Sequence, residues 1–177
     1  MTALPIRDSR PGDVPAIAAI CGHWVTHGLA SFELEPPSVE EMHGRREAIL
    51  ARAYPYLVAE GEGGRVLGYS YASAWRARPA DRFGCENSVY VAPDARGGGV
   101  ARRLLGALIE RCEARGLRLM VAVIGGSGNA PSIRLHRAMG FEHAGLLKAT
   151  GWKHGRWVDT VLMTRPLGPG ATTPPEE

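Results

Sequence analysis

Residues 91–102, VAPDARGGGVAR, set three consecutive glycines between two arginines, directly ahead of a patterned helix. Glycines cost stability inside helices and strands, so their placement asks for a reason. Gly97, Gly98 and Gly99 carry no side chains, which lets backbone N–H groups reach a ligand, and the helix that follows adds the partial positive charge of its N-terminus. Arg96 and Arg102 can pair with further phosphate oxygens. The arrangement predicts a phosphate site. It is not a dinucleotide fingerprint, which needs Gly-x-Gly-x-x-Gly with an acid about twenty residues on, nor a Walker loop, because Val100 and Ala101 stand where the Lys and hydroxyl belong. A loop that merely needs positive φ angles is the plain alternative.

Three further residue types can do chemistry. Glu86 precedes the apolar run SVYV. Asn129 follows GSG, where a turn asparagine is the ordinary reading. His136 lies in PSIRLHRAMG, where a packed helix histidine is the ordinary reading. Taken alone, Glu86 reads as a solvated strand-edge carboxylate. No cysteine sits in a nucleophile motif. Cys21, Cys85 and Cys112 are odd in number and widely spaced, which fits reduced, packed thiols and no zinc site.

The elements that must position these residues follow from periodicity. PIRDS (5–9) reads as a strand, and 13–27 as a helix with Ile17, Ile20, Cys21, Trp24 and Val25 on one side. Ser38 with Glu41 three residues on signals a second helix start. YPYLVAE and RVLGYSYASAW flank GEGG as an antiparallel hairpin. SVYVAP is a strand running into the glycines. Residues 100–115 form an amphipathic helix with Val100, Leu104, Leu105, Leu108, Ile109 and Cys112 inward. LRLMVAVI reads as a strand covered on both faces. A short helix follows, opened by Pro131 and closed by Gly140. FEHAGLLKAT and RWVDTVLMTRPL end the fold as two strands. The order β-α-α-β-β-β-α-β-α-β-β predicts a mixed α/β sheet protein.

At 177 residues, 45% hydrophobic and 22% charged, the chain reads as one soluble domain over 1–168, with 169–177 as a disordered tail. The N-terminus has no signal-peptide core and no apolar run approaches a membrane span, so the expected location is cytoplasmic, without membrane contact. The net charge of +3 comes from arginines mixed with acids, which argues against nucleic-acid binding and fits an anionic small ligand.

RGGGVA (96–101) resembles the Arg/Gln-x-x-Gly-x-Gly/Ala signature of the GNAT superfamily of N-acetyltransferases. ENSVYV, MVAVIGGSGNAPSIRLHRAMGF and WKHGRWVD are similar to its phosphinothricin and methionine sulfoximine N-acetyltransferase subfamily, as are ASFELEP and YPYLVAE. The likeness spans about residues 4–167. It implies the GNAT fold, a mostly antiparallel sheet of about seven strands flanked by about four helices. It implies acetyl-CoA as cosubstrate, no metal, and direct attack of a substrate amine on the thioester.

By the same resemblance, main-chain groups of Val89, Tyr90 and Val91 hold the pantetheine arm, and a bulge in that strand aims an N–H at the thioester carbonyl. N–H groups of Gly97, Gly98, Gly99, Val100, Ala101 and Arg102, beside Arg96, take the pyrophosphate, and the Asn129 side chain touches the coenzyme. Glu86 becomes the base that frees the amine; deprotonating an ammonium of pKa ~8–10 costs ~1.4–4 kcal/mol at pH 7. His136 stands where many members place a tyrosine, either protonating the departing thiolate or only orienting it. Arg76 and Arg82, with Trp75 and Phe32, are the implied acceptor contacts, since arginine forks suit carboxylate or phosphinate oxygens. The implied acceptor is an amino-acid-like amine with an anionic or polar group, and the implied assembly a homodimer. An acyl-CoA-binding sensor and an acetyltransferase of another amine or peptide are the alternatives.

Overall fold

The computed structural model describes residues 4–175. Its strands are β1 (Ile6–Asp8), β2 (Tyr56–Glu60), β3 (Val66–Ala74), β4 (Gly84–Val91), β5 (Leu119–Gly125), β6 (Glu142–Lys153) and β7 (Arg156–Pro166). The helices are α1 (Val14–His27), α2 (Val39–Ala51), α3 (Val100–Ala114) and α4 (Ala130–Ala138). The element order is the one the periodicity predicts. The seven strands form one sheet ordered β1-β2-β3-β4-β5-β7-β6. Every neighbouring pair is antiparallel except β4 and β5.

Two apolar layers sandwich the sheet. The six apolar positions expected on α3 are all buried, packing with Leu57, Cys85 and Met120 of the sheet. Each fully buried Leu of that stripe contributes about 1.5–3 kcal/mol. On the opposite face, Ile17, Ile20, Cys21 and Val25 of α1 cover Tyr56, Val58 and Tyr69. There the tyrosines of β2, β3 and β4 stack, Tyr56 on Tyr71 at 5.0 Å and Tyr69 on Tyr90 at 5.2 Å between ring centres. The Ser38 hydroxyl accepts from the Glu41 N–H and so starts α2 as expected.

Two expectations meet a different structure. The tail from 169, expected to be disordered, folds back: Arg118 donates to the carbonyls of Gly170 and Pro174 and to the Thr173 hydroxyl. A segment without large apolar side chains is held here mainly through its backbone carbonyls, which composition does not register. Residues 176 and 177 lie outside the described residues. The bulge expected in β4 is absent from its ladder with β3, which runs from Gly68↔Val91 to Ala74↔Cys85 without a register shift.

Candidate active site

The site begins where two strands part. β4 and β5 pair only from Gly84↔Leu119 to Asn87↔Ala122. Beyond Asn87, β4 continues along β3 to Val91, but its β5-facing edge has no strand partner among the described residues. An exposed strand edge offers unpaired N–H and C=O groups to any extended ligand. The expected backbone contacts at Val89, Tyr90 and Val91 lie on this edge.

At its far end the edge enters the glycine loop. Gly97 and Gly99 take φ values of +82° and +76°, the left-handed region that glycine enters without penalty. Gly99 also stands as N-cap of α3 with no side-chain cap. The first α3 bond returning to it comes from Arg103, so helix geometry leaves the N–H groups of Val100, Ala101 and Arg102 without intrahelical partners. A Cβ built on Gly97 or Gly99 meets no atom within 4 Å. The loop therefore faces open space at both glycines. It closes a cavity of about 410 Å³ that Arg96, Gly97, Gly99, Val100, Ala101 and Arg102 line at one end. Gly98 joins the loop without lining the cavity. These donors fit a diphosphate.

Trp24 forms part of the same wall. It donates from Nε1 to the Val91 carbonyl at 2.8 Å, and the Arg96 guanidinium lies 5.4 Å from its ring centre. Sequence reasoning placed Trp24 on the inward face of α1. Helical spacing identified the face but not the cavity beyond it.

A second cavity of about 410 Å³ adjoins the first, the two sharing Ala30, Val89, Tyr90, Asn129, Ser132 and His136. Glu86, Tyr71 and Ser88 line its polar side. Burial alone pushes the Glu86 carboxyl above the ordinary carboxylate range. That is the shift a proton acceptor working near neutrality needs. Burial likewise raises the Tyr71 phenol, opposed by its hydrogen bond with Ser88. Among the residues lining this cavity, Glu33 and Glu86 are carboxylates and no Lys or Arg is present.

Asn129 serves two ends. Its Oδ1 accepts from the Ser132 N–H as N-cap of α4, and the residue lines both cavities. The turn reading and the ligand-contact reading are both compatible with this position. His136 is 5% exposed and lies between acceptors, with Nδ1 2.9 Å from the Ser132 carbonyl and Nε2 3.1 Å from Asn87 Oδ1. Burial lowers its pKa, opposed by the Ser132 carbonyl.

Phe32 lines this second cavity. Its ring packs on Gly151 of β6, where a Cβ would stand 3.2 Å from ring carbons. The loop carrying it is fixed twice more. Lys153, buried, donates from Nζ to the Ser31 carbonyl at 2.7 Å. At the end of β5, a Cβ on Gly125 would lie 2.3 Å from the Leu29 carbonyl oxygen, so only glycine admits that approach. Sequence reasoning missed Ser31, Lys153, Gly125 and Gly151, because each acts on a segment far away in the chain.

Trp75, Arg76 and Arg82 line neither cavity. Trp75 follows β3 on the Glu86 side of the sheet, its N–H bonded to the Gly84 carbonyl, and Arg76 is exposed with its guanidinium 5.4 Å from the Trp75 ring centre. Arg82 stacks on Phe83 and lines a separate groove with Arg115 and Arg118. The arginine loop is thus divided between two places.

Residues 24–141 match the sequence profile of the acetyltransferase (GNAT) family. The chain is 53% identical to a phosphinothricin N-acetyltransferase from Alcaligenes faecalis over 98% of its own length and 88% of the relative's. It is 42% identical to an L-methionine sulfoximine/L-methionine sulfone acetyltransferase of Pseudomonas paraeruginosa, covering 96% and 98% of the two chains. Among solved structures, a GNAT superfamily phosphinothricin acetyltransferase from Sinorhizobium meliloti in complex with AcCoA superposes with a TM-score of 0.96 at 49% identity, covering 99% of this chain and 95% of that one.

Proposed function

Because this chain belongs to the acetyltransferase (GNAT) family, we propose that it moves the acetyl group of acetyl-CoA onto the amine of a small amino acid bearing a second anionic or strongly polar group. The observation that carries this reading is the continuous slot along β4, with unpaired helix N–H groups at one end and a desolvated carboxylate at the other.

The coenzyme supplies an acetyl thioester, already activated toward an amine. The N–H groups of Gly97, Gly99, Val100, Ala101 and Arg102, with the Arg96 and Arg102 side chains, hold the diphosphate. The free edge of β4 at Val89–Val91 holds the arm that reaches inward. Glu86 then accepts the first proton of the acceptor ammonium. The freed nitrogen attacks the thioester carbonyl, the C–S bond breaks, and the second nitrogen proton ends on the coenzyme sulfur. No covalent enzyme intermediate is needed, and the three cysteines are buried free thiols, none of which lines either cavity.

Phe32 forms an apolar wall for the acceptor. The exposed Arg76, carried on Trp75 two residues along the strand pair from Glu86, is the proposed partner for its anionic group. Homodimerisation belongs to the same reading, supported by the exposed Leu146, Leu147, Trp152 and Trp157 on the β6–β7 hairpin. So does a cytoplasmic location, supported by the free cysteines; no helix among the described residues is long and apolar enough to cross a membrane.

The test is thiol release from acetyl-CoA over a panel of amines: phosphinothricin, methionine sulfoximine, methionine sulfone, a polyamine and a peptide. Acetylation of the amino-acid analogues supports the reading. Activity on the peptide alone overturns it, and tight coenzyme binding without any turnover indicates a sensor.

A further inference from the structure

The fork between β4 and β5 has a builder of its own. Asn87 is the last β4 residue paired with β5, and its side chain turns to the α4 side, where His136 lies. Asn87 Nδ2 donates to the Val121 carbonyl of β5 at 3.0 Å. A carbonyl accepts only from the amide nitrogen, so Asn87 Oδ1 must face His136, and His136 Nε2 must carry the proton between them. The other ring nitrogen, Nδ1, faces the Ser132 backbone carbonyl at 2.9 Å, with the Ser132 hydroxyl at 3.4 Å.

The result is one chain of hydrogen bonds, from Ser132 through His136 and Asn87 to the Val121 carbonyl. It joins the first turn of α4 to β5. Asn129 belongs to the same unit, because it caps α4 through the Ser132 N–H and faces the cleft. Phe141 meets the His136 ring edge-on at 5.0 Å and fixes its plane. The His136 Nε2 proton is thus committed to Asn87.

We propose that Asn87 and His136 are a positioning pair: His136 holds the Asn87 amide so that it pins β4 to β5 at their last paired residue, which sets the width of the slot for the acyl-carrying arm. This rests on the acetyltransferase reading above and assigns His136 no proton transfer to the thiolate. His136 acts on the reaction through Asn87, at the point where sheet pairing must stop for a ligand strand to enter.

Three variants test it: Asn87→Leu, which loses both bonds at similar volume; His136→Leu, which loses the donor; and His136→Gln, whose side-chain amide can still donate to Asn87. Circular dichroism first establishes which are folded. Losing a buried hydrogen-bond partner of this kind is expected to weaken CoA affinity about tenfold in both leucine variants, read by calorimetry. His136→Gln is expected to retain coenzyme affinity within about threefold. Combining the two leucine changes should cost little more than either alone, since both break one chain. If Asn87→Leu does not fold, the two His136 variants carry the test.

Amide hydrogen exchange without ligand supplies a readout independent of turnover. Amides of Val121 to Val123 are expected to exchange faster in the leucine variants and at the native rate in His136→Gln. Native exchange in the leucine variants overturns the proposal. So does a kcat loss of about 100-fold or more in His136→Gln at unchanged coenzyme affinity, which is the mark of a lost proton donor. If the native chain binds no CoA, the acetyltransferase reading fails, while the exchange comparison still decides the latch.

Discussion

The two ends of the slot are made in different ways. The end proposed for the diphosphate is backbone: a left-handed Gly99, the first turn of α3 and the free edge of β4, contributed by adjacent stretches of chain. The acceptor end is side chains from segments far apart, with Phe32 on Gly151 of β6, Ser31 held by Lys153, and Glu86 and Tyr71 from neighbouring strands. Ligand groups shared by all reactions of one coenzyme can be met by main-chain geometry. Groups that vary between acceptors require side chains, and those are gathered only by folding.

That contrast is most directly broken at Glu86. Glu86→Gln is expected to lower kcat/KM by about 100-fold or more. Burial raises the Glu86 pKa, so in the native enzyme the rate falls as pH drops through that raised value and the base becomes protonated. In the variant this dependence disappears and only the amine's own titration remains; a native pH profile at native turnover removes Glu86 from the chemistry. The same shift carries a stability sign. A carboxyl whose folded pKa is raised favours its neutral form, and that preference is lost as pH rises through the folded value. Glu86→Gln should therefore melt slightly higher at pH 7 to 8, and an unchanged or lower melting point would mean the burial costs nothing.

At the other end, Gly99→Val places a β-branched residue at a φ of +76°. Strain of about 1–2 kcal/mol or more falls on the loop itself, and CoA affinity is expected to drop ~10-fold or beyond, with the fold retained by circular dichroism. A variant that binds CoA normally would make the glycine merely conformational.

Lys153→Met removes the bond to the Ser31 carbonyl and keeps the stem. A bond from a charged donor is worth roughly 1.5–3 kcal/mol, part of which is returned by relieving a buried charge, so the acceptor KM should rise about fivefold. CoA affinity should not change. Equal losses on both sides would dissolve the distinction between the two ends.

The smallest effect is expected at Arg82→Ala. Because Arg82 lines a different groove, the acceptor KM should stay within about twofold, as for an ordinary surface substitution. A tenfold rise would return the whole arginine loop to the acceptor site.

Much of the fold was legible because its signals are local. The α3 stripe, the Ser38 cap, the hairpin around GEGG and Gly140 after α4 each declare themselves within a few residues, and each stands where periodicity placed it. The glycine loop was legible for the same reason. Trp24 was not, since an inward aromatic looks alike whether it faces core or cavity. The folded-back tail was not either, because backbone carbonyls that satisfy Arg118 leave no trace in composition.

The sequence by itself determined where the glycine loop would turn and which helix would start from it, since helix starts and positive φ angles are properties of a few neighbouring residues. Only the tertiary structure decided what surrounds Glu86. It brought Ser31 to Lys153 across 122 residues, closed Leu29 onto Gly125, coupled Asn87 to His136, and left Arg82 in another groove. Such contacts depend on which distant segments the sheet order makes neighbours, and spacing along a chain does not encode that directly.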